Sequence, residues 1–206
     1  MAREDISENT IRRLTKYLAF ARSLGELEWT HVSSADIARG LELDALVVRK
    51  DLSIAGVSGR RNYGYPIKSM VERIKEVIGW SSPRRVAFIG EAGVIDSLIS
   101  AFPFDKYNLL PVAVVEIGAC TIPESVGGVP AMTFGHFLEL QKADPVRLVV
   151  FAVPISRAQT TANRLVESGV TAFWNFTEDT ITVPEGVHVV DSSMVGDLAM
   201  LSFLTK

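Results

Sequence analysis

Residues 87–98 read AFIGEAGVIDSL, a buried-strand pattern that meets a glycine-marked turn and continues as a helical one. Strand, turn and helix in this order open a dinucleotide-binding unit when three glycines are spaced GxGxxG. The first permits a tight turn, the second lets backbone approach a pyrophosphate, and the third lets the helix press on the sheet. Here the window covers Gly90, Glu91, Ala92, Gly93, Val94 and Ile95, and only the first glycine is in register. Ala92 puts a methyl where a ligand must come close, and Ile95 puts a branched side chain at the packing position. Glu91 and Asp96 set two carboxylates near a helix N-terminus that would otherwise attract phosphate. Gly93 can return some freedom by moving the turn one residue along, and Glu116, at the end of the next strand, matches the acid that holds a ribose. Gly90, Gly93 and Glu116 are therefore the candidate cofactor-binding residues.

Toward the carboxyl terminus, VAFI (86–89), LLPVAVV (109–115), RLVVFAV (147–153), TAFWNF (171–176) and VHVV (187–190) read as strands. VIDSLISAF (94–102), MTFGHFLELQK (132–142) and RAQTTANRLVES (157–168) between them read as helices. Such alternation implies βαβ crossovers and a doubly wound, largely parallel sheet. The tail SMVGDLAMLSFLTK is apolar around most of a helix, so one packing surface cannot bury it.

Toward the amino terminus the spacing is helical. Ile11, Leu14, Leu18 and Ala21 share one face of a first helix. Ser33, Ser34 and Asp36 resemble a helix start, and that helix should run from about Ser34 to Arg39 and end at Gly40. Asp44 can cap DALVVRKDL, in which Ala45, Val48 and Leu52 face inward while Leu46, Val47 and Lys50 point away, with Arg49 at the flank. GVSGRRNYGY then suits a short hairpin with Arg60 and Arg61 at its tip. Helix, turn, helix and basic hairpin make the order of a winged helix. With WSSPRR read as a linker, the expected division is 1–80 winged helix, 85–192 Rossmann-like domain and 193–206 carboxyl-terminal helix.

Charge follows the same division. Residues 1–85 carry 15 Lys and Arg against 11 Asp and Glu, net +4, whereas 86–206 carry 6 against 13, net −7. A basic end on an acidic body points to a polyanion partner. Hydrophobic content of 48% with 22% charged residues excludes extensive disorder. MAREDISENT lacks the pattern of a signal peptide and no apolar run is long enough to span a bilayer, so a cytoplasmic protein without membrane contact is expected. The single cysteine, Cys120, excludes an internal disulfide and a multi-cysteine metal cluster, and reads as a small, partly buried residue. His31, His136 and His188 are scattered without a catalytic or metal-binding pattern, so no catalytic residue and no metal are expected.

SSADIARGLELDALVVRKDLSIAGVSGRRNYGY, with GGVPAMTF, FAVPISRAQTTANRLVESGVTAFWNF and DLAMLSFL, resembles the Rex family of redox-sensing transcriptional repressors across nearly the whole chain. The resemblance implies a winged-helix DNA-binding domain, a Rossmann domain sensing NADH against NAD⁺, and a homodimer that exchanges its last helix. It makes Arg49 and Lys50 recognition-helix residues, matches Arg61 to the wing arginine with Arg60 beside it, and puts Asn62 in place of a wing-tip glycine, where a positive φ is tolerated. The family pattern also has an arginine, a tyrosine and an aspartate where this chain has Ala19, Phe102 and Ser193, polar groups that would couple ligand state to DNA binding. The expected function is thus a DNA-binding regulator, a Rex-like repressor of a double-stranded operator with weak or absent NADH response. The alternative is a fully NADH-responsive repressor, and an NAD(H)-dependent oxidoreductase stands third.

Overall fold

In the computed structural model, which describes residues 6–118, 121–192 and 194–205, the chain divides into Met1–Ser82 and Pro83–Lys206. The readings placed on Cys120 and Ser193 lie outside the described residues.

The first unit runs α1 (Glu8–Glu26), β1 (His31–Val32), α2 (Ser34–Leu41), α3 (Ala45–Ile54), β2 (Tyr65–Pro66) and α4 (Ile67–Ile78). Its helices start where side-chain oxygens meet orphan amides: Ser7 accepts from Thr10 N at 3.2 Å, Ser33 from Asp36 N at 3.1 Å and Asp44 from Leu46 N at 2.6 Å. Leu14, Tyr17, Leu18, Ile37, Val48, Leu52, Met70 and Ile74 form the buried centre. Two sequence expectations change. Ile11 is exposed, and Thr10 and Tyr17 complete the inward face of α1 instead. Gly40 does not end α2; a Cβ there would lie 2.4 Å from the Phe20 ring, so the glycine lets α2 approach α1, and the helix stops at Glu42 in a left-handed conformation.

The second unit contains β3 (Arg84–Gly90), α5 (Ala92–Ala101), a 3₁₀ turn (Phe104–Tyr107), β4 (Leu109–Glu116), β5 (Ser125–Val126), β6 (Val129–Thr133), α6 (Phe134–Ala143), β7 (Leu148–Ala152), α7 (Ile155–Glu167), β8 (Ala172–Asn175), β9 (His188–Asp191) and α8 (Met194–Leu204). The sheet order is β5-β6-β4-β3-β7-β8-β9, and every pairing is parallel except β5 with β6. Without the short β5, the parallel strands follow the 3-2-1-4-5-6 order of dinucleotide-binding folds. Val86 and Phe88 pack with α5 on one face, while Ala87 and Ile89 join the core formed with α6 and α7 on the other. A central strand covered on both faces explains the unbroken apolar run.

Helical spacing alone misses β6. Met132 and Thr133 read as helical in the sequence but finish a strand, because Gly127 and Gly128, both with positive φ, turn the chain into the β5–β6 hairpin and set β6 beside β4. Arg84 and Arg85, in the stretch that reads as a linker, open β3.

Candidate functional site

On α3 three consecutive charges part company. The Asp51 side chain is 2% exposed and faces α1, where Arg13 donates from Nε at 2.6 Å and Nη2 at 2.9 Å, Tyr17 donates its hydroxyl at 2.8 Å, and Thr10 contributes at 3.5 Å. Burial by itself pushes the Asp51 carboxyl up, but the hydrogen bonds from Arg13 and Tyr17 and the Arg13 charge outweigh it and hold the group below the usual range. Burial, and then the bond to Asp51, push Tyr17 upward, so the phenol stays protonated. This bidentate clamp fixes the rotation of α3, and one helical step of 100° per residue then turns Arg49 and Lys50 outward. Both are exposed, and among the described residues no acid pairs with either. Asp51, next in sequence to Lys50 and a natural counter-ion for the pair, is bound to Arg13 instead.

The hairpin after α3 is closed by Arg60 N to Gly64 O at 2.7 Å and Gly64 N to Arg60 O at 2.9 Å. Asn62 takes a φ of 68°, as its place at the tip requires. Arg49, Arg60 and Arg61 line one cleft of about 630 Å³, together with His31, Ser33 and Tyr63. Asp36, the acid in the same wall, is bound by Ser33 Oγ at 2.6 Å and Arg39 at 3.2 Å. The structure therefore brings three of the four expected cations together and leaves Lys50 outside that cleft.

At the strand ends of the second unit, Gly90 is buried between strands: a Cβ there would lie 2.4 Å from Ala152 O. Its absence of a side chain serves the β3–β7 packing. Gly93 stands in the first turn of α5 without positive φ, and a methyl added there would meet nothing within 4 Å, so it does not move the turn as the sequence suggests. Glu116 is buried at the end of β4, and its Oε2 accepts from Ala92 N at 2.7 Å. That carboxylate occupies one of the amides a pyrophosphate would use at the α5 N-terminus.

Between β3 and β7, where the strand order reverses, lies a cavity of about 410 Å³. Val94, Leu98, Val153, Ile155 and Phe176 make it apolar, Glu91 and Glu178 stand in its wall, and among the described residues no Lys or Arg lines it. Arg157 reaches instead toward Gly118, beyond β4. Ile95 is fully buried beneath the loop. One amide at the α5 N-terminus is bonded to Glu116, and the charged groups lining the cavity are carboxylates, both of which oppose a pyrophosphate there. Phe102, in place of the family's tyrosine, stacks on Tyr107 at 5.3 Å without a hydroxyl to offer, and Ala19 is exposed.

Among the described residues no three His, Cys, Asp or Glu side chains gather as a metal site, and no helix is long and apolar enough to cross a membrane.

Two family models match the chain: "Putative DNA-binding protein N-terminus" over residues 5–53 and "CoA binding domain" over residues 50–179. A redox-sensing transcriptional repressor Rex of Porphyromonas gingivalis is 32% identical over 95% of this chain and 90% of its own length, and one of Treponema denticola is 30% identical over 95% and 93%. Crystal structures of RSP, a Rex-family repressor, share the fold: TM-score 0.87 at 22% identity over 97% of this chain and 93% of that one. Its complex with β-NAD⁺ and operator DNA gives 0.89 at 23% identity over 97% and 92%. The match in length, in both units and in sequence leaves one assignment: the chain belongs to the Rex family of redox-sensing transcriptional repressors.

Proposed function

We propose that this chain is a sequence-specific, DNA-binding repressor acting as a homodimer, in which Arg49, Lys50, Arg60 and Arg61 contact the duplex and NADH has weak or no effect. The carrying observation is the α3–hairpin cleft, where Arg49, Arg60 and Arg61 converge beside a helix whose rotation Asp51 fixes. An α-helix fits the major groove, where Arg49 can bond guanine O6 and N7 with two donors, while Lys50 neutralises phosphate. The hairpin arginines suit a narrow, A·T-rich minor groove. α8 supplies the dimerisation helix: six of its apolar side chains, from Val195 to Leu204, are more than half exposed in the single chain. The relatives' names describe repressors, which supports a regulator over an enzyme.

Selection of duplexes from a random-sequence pool tests the reading. A pseudo-palindrome with half-sites about one helical turn apart is expected; a pool with no enriched sequence contradicts it. A second reading, a regulator that does respond to NADH, is favoured by the switch-point cavity and by Glu116 at the end of β4, since RSP itself has been crystallised with β-NADH.

A further inference from the structure

Tyr63 stands at the tip of the hairpin with 72% of its surface exposed, more than any other large apolar residue of the first unit among the described residues. An aromatic ring left in water gives up a large favourable burial term, and Tyr in such a place serves where a partner covers its apolar body while its hydroxyl stays wet or bonded. Three features hold the ring out. The Arg60–Gly64 pair closes the hairpin just below it. Gly64, at φ 82°, presses the hairpin onto β1 so closely that a Cβ would lie 2.4 Å from Val32 O. His31, on β1, turns its ring toward Tyr63, with centroids 6.4 Å apart and planes at 57°, while its Nδ1 lies 3.1 Å from Thr30 Oγ1. The closed hairpin thus carries Tyr63 outward beside Arg49, Arg60 and Arg61, with which it shares a cleft.

From this geometry we infer that Tyr63, propped by His31, is a further DNA-contacting and specificity-determining residue: its ring packs on the deoxyribose edge of the minor groove that Arg61 enters, and its hydroxyl bonds a backbone phosphate. Deoxyribose edges are apolar and flanked by phosphate, which matches an amphipathic ring beside two guanidiniums. Sugar packing of this kind does not read a base directly. It senses groove width, so Tyr63 sharpens preference for sequence outside the bases that α3 touches. His31 is a positioning residue, acting through the ring it supports.

The inference rests on the DNA-binding reading, and its test separates the two. The probe is the duplex recovered by the wild-type protein from the random pool, in versions whose hairpin-facing flank is A·T-rich or G·C-rich, and binding of the full chain is followed by fluorescence anisotropy across a salt series. Tyr63→Ala is expected to weaken binding to the A·T-flanked duplex about tenfold, the scale of burying one large side chain, and to shrink the preference between flanks, while leaving the salt slope unchanged because no charge is lost. Tyr63→Phe keeps the ring and should retain most of the flank preference. Arg61→Ala instead reduces the slope by about one. Thermal melting of Tyr63→Ala at the wild-type temperature shows that the hairpin change has not unfolded the unit. Wild-type affinity and flank preference in Tyr63→Ala, with Arg49→Ala and Arg61→Ala both impaired, overturn the role of Tyr63 and leave the DNA-binding reading standing. No effect in any of the three overturns both.

Discussion

At Arg49, Lys50 and Asp51, adjacent charged residues have different work. Arg49→Ala should cost about 1–3 kcal/mol at one base pair and relax preference there, whereas Lys50→Ala should weaken binding to all duplexes and lower the salt slope by about one. Competition titrations with single-base operator variants distinguish these outcomes. Asp51→Ala should leave Arg13 and the buried Tyr17 hydroxyl without their acceptor and destabilise the first unit by about 1–3 kcal/mol, read by chemical denaturation. The sign with pH follows from the depressed carboxyl of Asp51: its stabilisation is present above the unfolded value of about 3.9 and fades as pH falls through the lower folded value. Acid melting should therefore flatten in Asp51→Asn below about pH 4 relative to the native chain. The outward face of Lys50 is legible from helical spacing, which sets Arg49 at the flank. The clamp is not, because Arg13 lies 38 residues earlier. Its one signal is a charged residue about 60° around the helix from Val48, on the inward side.

At the scale of elements, the opening of the Rossmann unit shows which glycines are needed. Gly90→Ala should disrupt the β3–β7 edge, since the added methyl meets the Ala152 carbonyl, and should lower the melting temperature strongly. Gly93→Ala, in an exposed helical turn with open space around it, should raise stability by about 0.5–1 kcal/mol and leave ligand and DNA binding unchanged. Destabilisation by Gly93→Ala would show that the residue does serve a strained loop. Strands buried on both faces are readable as continuous apolar runs, and Asp44 and Ser33 as caps. β6 is not, because VPAMT is short and its strand character depends on the Gly127–Gly128 turn and on pairing with β4. The position of Glu116 at a strand end is legible, but not its bond to Ala92, which requires the α5 N-terminus and the β4 end to meet across the sheet.

For the whole molecule, the proposed homodimer rests on α8. Its exposed apolar surface implies burial against a second copy, so light scattering at micromolar concentration should give a dimer, and a well-folded monomer there would overturn the homodimer. Which partner surface receives the helix is not legible, because a helix apolar around most of its circumference carries little direction. The response to dinucleotide belongs to this scale as well, since a ligand shifts a regulator only by its differential affinity for two states. Glu116 on the Ala92 amide, carboxylates in the cavity wall and Phe102 without a phenol each oppose that response. The decisive measurement is a titration of the full-length protein with its selected operator in the absence of dinucleotide and with saturating NADH or NAD⁺, with binding of each nucleotide followed in parallel by calorimetry. Operator affinities are expected to agree within about threefold across the three conditions. Micromolar NADH binding that weakens operator affinity tenfold or more, about 1.4 kcal/mol of coupling, would mean instead that the dinucleotide does control this repressor.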